Sequence, residues 1–233
     1  MKKSHIILGV MSILGLASFL IPIFLPDSSL NPNKGMFTWG LFVSAVMLFS
    51  IAAFLLEFER ITMSSKEIGF IAILGAVSAV SRVPFAVIPS VQPCTYLIIC
   101  TGYVFGPIAG FMVGAITALI SNLFLGMGPW TLYQIFAWGL AGFAAGFIKL
   151  NKTWKLCLYG FIHGYLFGLI TNIWFWSAFI YPLNFRTLLA IQINSFWFDT
   201  FHALGNVIFL WIFGLKTIKI FERYKKRFHV ERL

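Results

Sequence analysis

The stretch SNLFLGMGPWTLYQ, Ser121–Gln134, sets an Asn, a Gly-x-Gly-Pro-Trp turn and a Gln between two almost wholly apolar runs. Glycine ends helices and proline starts them, so the segment reads as the tip of a hairpin between two apolar helices. A turn accounts for Gly126, Gly128 and Pro129. It gives no reason for Asn122 and Gln134, which flank the turn within the apolar runs. Composition decides the solvent of that hairpin. The 233 residues are 60% hydrophobic and 10% charged, where a soluble domain carries about 25% charged residues. Too few charges exist to cover a core of this size, so the chain reads as an all-α integral membrane protein with the bilayer as a partner.

The net charge of +10 would suggest nucleic acid in a soluble protein. Here the bases gather at span ends and in KTIKIFERYKKRFHVERL, Lys216–Leu233. Cytoplasmic loop bias and anionic lipid account for them, and no nucleic-acid partner is expected. The three cysteines, Cys94, Cys100 and Cys157, form no C-x-x-C and suit apolar packing better than a disulfide framework or a zinc site.

Eight helical segments follow from the apolar runs: Ile6–Leu25, Phe37–Leu56, Ile68–Ile88, Thr95–Phe105, Ile108–Leu125, Thr131–Ile148, Leu156–Ile180 and Leu188–Leu215. Gly106-Pro107 splits one long block, because proline fits the first turn of a helix and not its interior. Thr95–Phe105 is too short to span upright. The first run outlasts a signal-peptide core and has no clear A-x-A site, so it reads as a retained helix. Both termini then lie in the cytoplasm. Lys2, Lys3, Arg60, Lys66, Lys149, Lys152, Lys155 and the bases from Lys216 onward face inward, leaving Lys34, Arg82 and Arg186 outside. That asymmetry is the positive-inside pattern of a plasma-membrane protein. Residues 1–62 form an N-terminal transmembrane hairpin, 63–216 a six-helix core and 217–233 a basic cytoplasmic tail.

Small residues recur every four positions. Gly102, Gly106, Gly110 and Gly114 lead to Asn122, and Gly160, Gly164 and Gly168 lead to Asn172. Such ridges let helices approach closely in lipid, and amides at their ends need partners inside the bundle. Between Glu67 and Glu222 the one acid is Asp199; between Lys66 and Lys149 the one base is Arg82. Arg82 lies roughly 22 Å along its helix and Asp199 about 25 Å from the cytoplasmic end of its own. Their matched depths predict a pair or shared network, since lone charges at that depth are costly. Gln192, Ser195, Asp199, His202 and Asn206 follow helical spacing and form one polar stripe. Asp199, His202 and Asn206 lie deep and suit a polar network that binds the bundle together. Gln192 and Ser195 lie nearer the outer surface and suit a ligand.

Three loops face outward: PSVQP (Pro89–Pro93), GMGPW (Gly126–Trp130) and YPLNFR (Tyr181–Arg186). They make a lid over a pocket whose candidate residues are Gln92, Thr95, Asn122, Gln134, Asn184, Gln192 and Ser195, with Phe85, Trp130 and Trp138 as stacking aromatics. The sequence has no P-loop, no H-E-x-x-H and no G-x-S-x-G. Too few ligand side chains exist for a metal site, and no cofactor is implied.

The run FGPIAGFMVGAITALISNLFLGMGPWTLYQIFAWGLAGFAAG, Phe105–Gly146, resembles the substrate-binding S components of energy-coupling factor (ECF) transporters, and the likeness extends more loosely over Glu67–Leu215. The resemblance implies a six-helix fold with an outward-facing vitamin site closed by the three loops. It implies that Ala72 and Ala76 form the small surface that docks a transmembrane T component carried on two ATPase subunits. It implies delivery of the vitamin by toppling in the membrane, with ATP hydrolysed by the partners. GPWTLYQIFAWG, Gly128–Gly139, is most similar to members assigned to cobalamin or its precursors, although riboflavin, queuosine-type bases and a ribazole would also suit an aromatic pocket. The N-terminal hairpin lies outside the family's six-helix pattern. Two other readings remain: an intramembrane enzyme built on Asp199 and His202, and a ligand-free structural or sensory bundle.

Overall fold

The computed structural model describes residues 39–59 and 63–230, together with Val10. The expected first span, the turn of the N-terminal hairpin, and Lys2, Lys3, Lys34 and Arg60 lie outside the described residues.

The described chain is helical from end to end: α1 Trp39–Glu59, α2 Ser65–Arg82, α3 Cys94–Phe105, α4 Pro107–Leu125, α5 Trp130–Ala145, α6 Thr153–Phe179, α7 Phe185–Phe209 and α8 Leu215–Val230. A short 3-10 turn, Pro84–Val87, follows α2, and a π-helical turn, Leu210–Gly214, joins α7 to α8. Among the described residues, four segments are long and apolar enough to cross a membrane: Ser65–Val87, Pro107–Leu125, Thr153–Phe179 and Phe185–Arg227. The protein is therefore a multi-pass membrane protein.

Local chemistry sets the helix ends. Ser64 caps α2 by accepting from the Glu67 amide, while the Glu67 carboxylate accepts from the Ser64 amide at 2.8 Å. This reciprocal box satisfies orphan donors that lipid cannot. Asn184 caps α7 in the same way with Thr187 as its partner. Between α3 and α4, Gly106 takes φ +99° and Pro107 opens the next helix. Only glycine adopts that φ without strain, so the chain reverses at the expected point.

The core forms where α3, α4 and α5 meet. A Cβ on Gly110 would collide with the backbone of both Gly142 and Gly102. The three glycines thus bring three backbones into direct contact, and Ile98, Phe111, Val113 and Ala118 fill the seam around them. α6 and α7 form a second close pair, with Gly164 against the Ala203 backbone. α1 packs on α5 and α6, where Ser44 and Tyr133 share a hydrogen bond of 3.3 Å.

The residues read as a basic tail continue the last helix. α8 buries Ile218 and Phe221 against the core and keeps Lys219, Arg223 and Lys226 exposed. Phe70, Phe105 and Phe221 cluster there, and Lys225 Nζ donates to the Val104 carbonyl. The apolar stripe at i, i+3 is what holds a charged segment to the bundle.

The glycine contact has a direct test. Gly110→Val forces backbone apart and should cost about 2 kcal/mol or more, seen as a melting temperature several degrees lower in detergent. Gly69→Ala meets open space and should leave the melting temperature unchanged or slightly raised.

Candidate functional site

Arg82 ends α2 and is buried. Its Nε donates to Gln92 Oε1 at 3.0 Å, and Nη1 donates to Ser121 Oγ and Asn122 Oδ1, each at 2.7 Å. The guanidinium also lies 4.7 Å above the Trp138 ring, a cation–π contact strengthened by the burial of both side chains. Asn122 gives its two amide hydrogens to Thr131 Oγ1 at 2.9 Å and Gln134 Oε1 at 2.7 Å. Thr131 in turn accepts from the Gly128 amide at 3.3 Å. The polar residues flanking the Gly-Pro-Trp turn are thus the cage of one arginine. Trp138 Nε1 donates to Thr95 Oγ1 at 3.1 Å, and Thr95 shares a 3.2 Å hydrogen bond with His202 Nε2. Trp138, Phe167 and His202 pack ring on ring, with centroids 4.6 and 4.7 Å apart. These groups plug the centre of the bundle.

The matched-depth expectation for Arg82 and Asp199 is corrected here: the two do not pair. Arg82 is satisfied by Gln92, Ser121 and Asn122. Asp199, on α7, accepts from Ser195 Oγ at 2.7 Å. Depth along a helix left their azimuth undetermined, and Asp199 points toward α6. A Cβ on Gly168 would strike its carboxylate, so the bare glycine leaves the slot that the carboxylate fills.

A second polar group surrounds that carboxylate. Asn172 Nδ2 donates to Gln192 Oε1 at 3.0 Å and Ser195 Oγ at 2.8 Å. Beside it opens a cleft of about 350 Å³ between α6 and α7. Its polar lining is Ser90, Thr171, Asn172, Asn194, Ser195 and Asp199; Phe167, Phe175 and Phe198 supply aromatic faces. Phe167 belongs to both regions, so the plug forms the floor of the cleft. A larger groove of about 960 Å³ lies at the other end of α3, between Tyr103, Phe147, Lys149 and Lys226. Its polar lining is charged, Lys149, Glu222, Lys225 and Lys226, whereas the α6–α7 cleft combines aromatic faces with a few hydrogen-bonded side chains and is the better candidate for recognition of a small molecule.

The expected pocket residues therefore divide. Ser195 lines the cleft and Gln192 borders it through Asn172. Gln92, Thr95, Asn122, Gln134 and Trp138 belong to the arginine cage and the plug. Trp130 packs edge-on against Trp174 with centroids 5.4 Å apart, Phe85 packs on Phe209, and Asn184 caps α7. Asn206 Nδ2 donates to the Gly160 carbonyl at 3.0 Å and ties α7 to α6. Gln192 Nε2, His202 Nδ1 and Asn206 Oδ1 are buried without a protein partner. Asp199 and His202 form no dyad, since each is held by a different neighbour. Ser90, Phe167, Thr171, Asn194 and Phe198 were not singled out by sequence. The glycine ridge ending at Asn172 and the polar stripe through Ser195 and Asp199 were the signals that pointed to this seam.

The two polar groups share no hydrogen bond, so Arg82→Gln and Asp199→Asn should change melting temperature additively, within about 0.5 kcal/mol. Arg82→Gln and Asn122→Ala share a bond and should depart from additivity by about 1 kcal/mol or more. Thermal melts of the single and double variants check both.

A family model described as "ECF transporter, substrate-specific component" matches residues 66–225. Neither a curated protein nor a solved structure matches the chain. The matched region runs from the first turn of α2 into α8 and takes in the arginine cage, the plug and the α6–α7 cleft. The chain belongs to the ECF transporter substrate-specific component family, whose members are substrate-binding membrane subunits working with T and ATPase modules.

Proposed function

We propose that the protein captures a vitamin or related micronutrient from outside a bacterial cell, holds it in the α6–α7 cleft, and delivers it by toppling against a T component carried on two ATPases. The observation that carries this reading is the cleft itself, where Asn172, Ser195 and Asp199 converge beside three phenylalanines. Aromatic faces with a few fixed polar groups suit a flat heterocycle. The charge asymmetry supports an orientation with the loop end of the bundle outside and α8 in the cytoplasm.

The cleft lies at the small end of the range for ligand sites, about 300–1,000 Å³, and the plug beneath it closes the centre. Both favour a ligand the size of a ribazole, a flavin ring or a queuosine-type base over an assembled corrinoid. On α2, Ala72 is exposed and Ala76 half-buried, and Ile73, Val77 and Val80 beside them are exposed. An apolar face with a flat centre suits close approach by another transmembrane helix, which supports Ala72 and Ala76 as the docking surface for the T component.

The purified full chain, screened with heterocyclic vitamins by tryptophan quenching, should bind one of them with a Kd below about 1 μM. Asn172→Leu should weaken that binding at least tenfold, because it removes an anchoring amide from the cleft. Ala76→Trp should stop uptake in cells while the binding constant stays unchanged. Absence of binding across the panel would contradict the reading, and intact uptake with Ala76→Trp would contradict the docking surface.

A further inference from the structure

We infer that the α6–α7 cleft selects a cation: a flat aromatic or heteroaromatic compound bearing a protonated nitrogen, with Asp199 as its counter-charge. The inference rests on the substrate-binding reading above and adds the charge of the ligand.

The hydrogen bonds around the cleft leave it short of donors. Ser195 spends its hydroxyl hydrogen on Asp199 Oδ2. Thr171 donates back to carbonyls of its own helix, those of Phe167 and Gly168. Asn172 directs its amide nitrogen to Gln192 and Ser195. On these residues the atoms left over are acceptors, Oδ1 of Asn172 and Oδ1 of Asp199, while Gln192 Nε2 at the border of the cleft is a buried donor without a protein partner. Ser90 and Asn194 can donate or accept. A ligand that satisfies this lining must bring its own N–H groups.

Charge points the same way. The cleft is lined by no Lys, Arg or His. The nearest candidate partner by depth, Arg82, is taken up by Gln92, Ser121, Asn122 and Trp138. Asp199 is only 6% exposed and has a single donor from the protein, Ser195. An ionised carboxylate inside a membrane bundle is costly unless paired, and is a functional-site hypothesis by default. Arg82 and Asp199 are both buried, but the arginine has three side-chain acceptors and an aromatic face, whereas the carboxylate on the cleft wall has one donor. The bare Gly168 backbone makes room for the Asp199 carboxylate. Phe167, Phe175 and Phe198 add π faces, which attract a cation and are indifferent or unfavourable to an anion. Carboxylate- or phosphate-bearing compounds meet a like charge here and no cationic side chain.

A ring-matched series isolates the charge. Benzamidine, benzamide and benzoate share size and shape and differ in charge. Their binding to the full-length protein in lipid nanodiscs is measured by saturation-transfer NMR at neutral pH. Benzamidine should bind at least tenfold more tightly than benzamide, and benzoate should give no signal. Asp199→Asn should bring benzamidine down to the level of benzamide. The wild-type series stands alone if that variant does not fold. Equal binding of benzamidine and benzamide, binding of benzoate, no binding by any of the three, or a cation preference that survives Asp199→Asn would each overturn the inference. The vitamin screen separates this failure from that of the underlying reading. A neutral or anionic vitamin bound equally by wild type and Asp199→Asn removes the charge inference and leaves the transport subunit intact. A panel with no binder removes both.

Discussion

A guanidinium held inside a membrane bundle is the constraint on which the rest of the structure depends. Arg82 is buried at the end of α2, and a charge in such a place is costly unless it is paired. Its partners come from three places in the chain: the loop after α2, the end of α4 and the face of α5. The glycine contact between α3, α4 and α5 brings these within hydrogen-bond reach by letting backbones touch. Packing and polar satisfaction therefore need each other. The glycines alone would leave helices free to slide, and the arginine alone would find no partners.

The cage also explains where the cleft is. Trp138 is fixed between Arg82 and Thr95, Phe167 stacks on Trp138, and His202 stacks on Phe167. That column fills the centre of the bundle. Free space is pushed to the seam of α6 and α7, above Phe167 and beside Asp199. A rigid floor under a small cleft preorganises the site, which reduces the ordering cost of binding.

Much of the fold was legible in sequence because membrane helices are long, apolar and punctuated. Gly106-Pro107 marked a true break, the limits of the six core segments fall within six residues of α2 to α7, and the ridge glycines other than Gly106 mark close contacts. The polar partners were less legible. Asn122 and Gln134 stand out in the sequence; in the structure Asn122 accepts from Arg82 and donates to Gln134. Arg82 and Asp199 share a depth, but depth is one coordinate of three, and the azimuth of each helix is set by packing. Thr171 and Asn194 gave no periodic signal. They reach the cleft only because α6 and α7 pack where they do. The basic segment after Leu215 was read by charge, which outweighed the Ile218 and Phe221 spacing that makes it a packed helix.

The central claim is that the α6–α7 cleft opens to the outside of the cell and the α8 end faces the cytoplasm. Cysteine accessibility measures this most directly. In a background with Cys157→Ser, which removes the half-buried native thiol, Asn194→Cys and Lys226→Cys are labelled with a membrane-impermeant maleimide. The account predicts that Asn194→Cys reacts in intact cells and that Lys226→Cys reacts only after permeabilisation. Labelling of Lys226→Cys in intact cells, with Asn194→Cys protected until the membrane is opened, would contradict it.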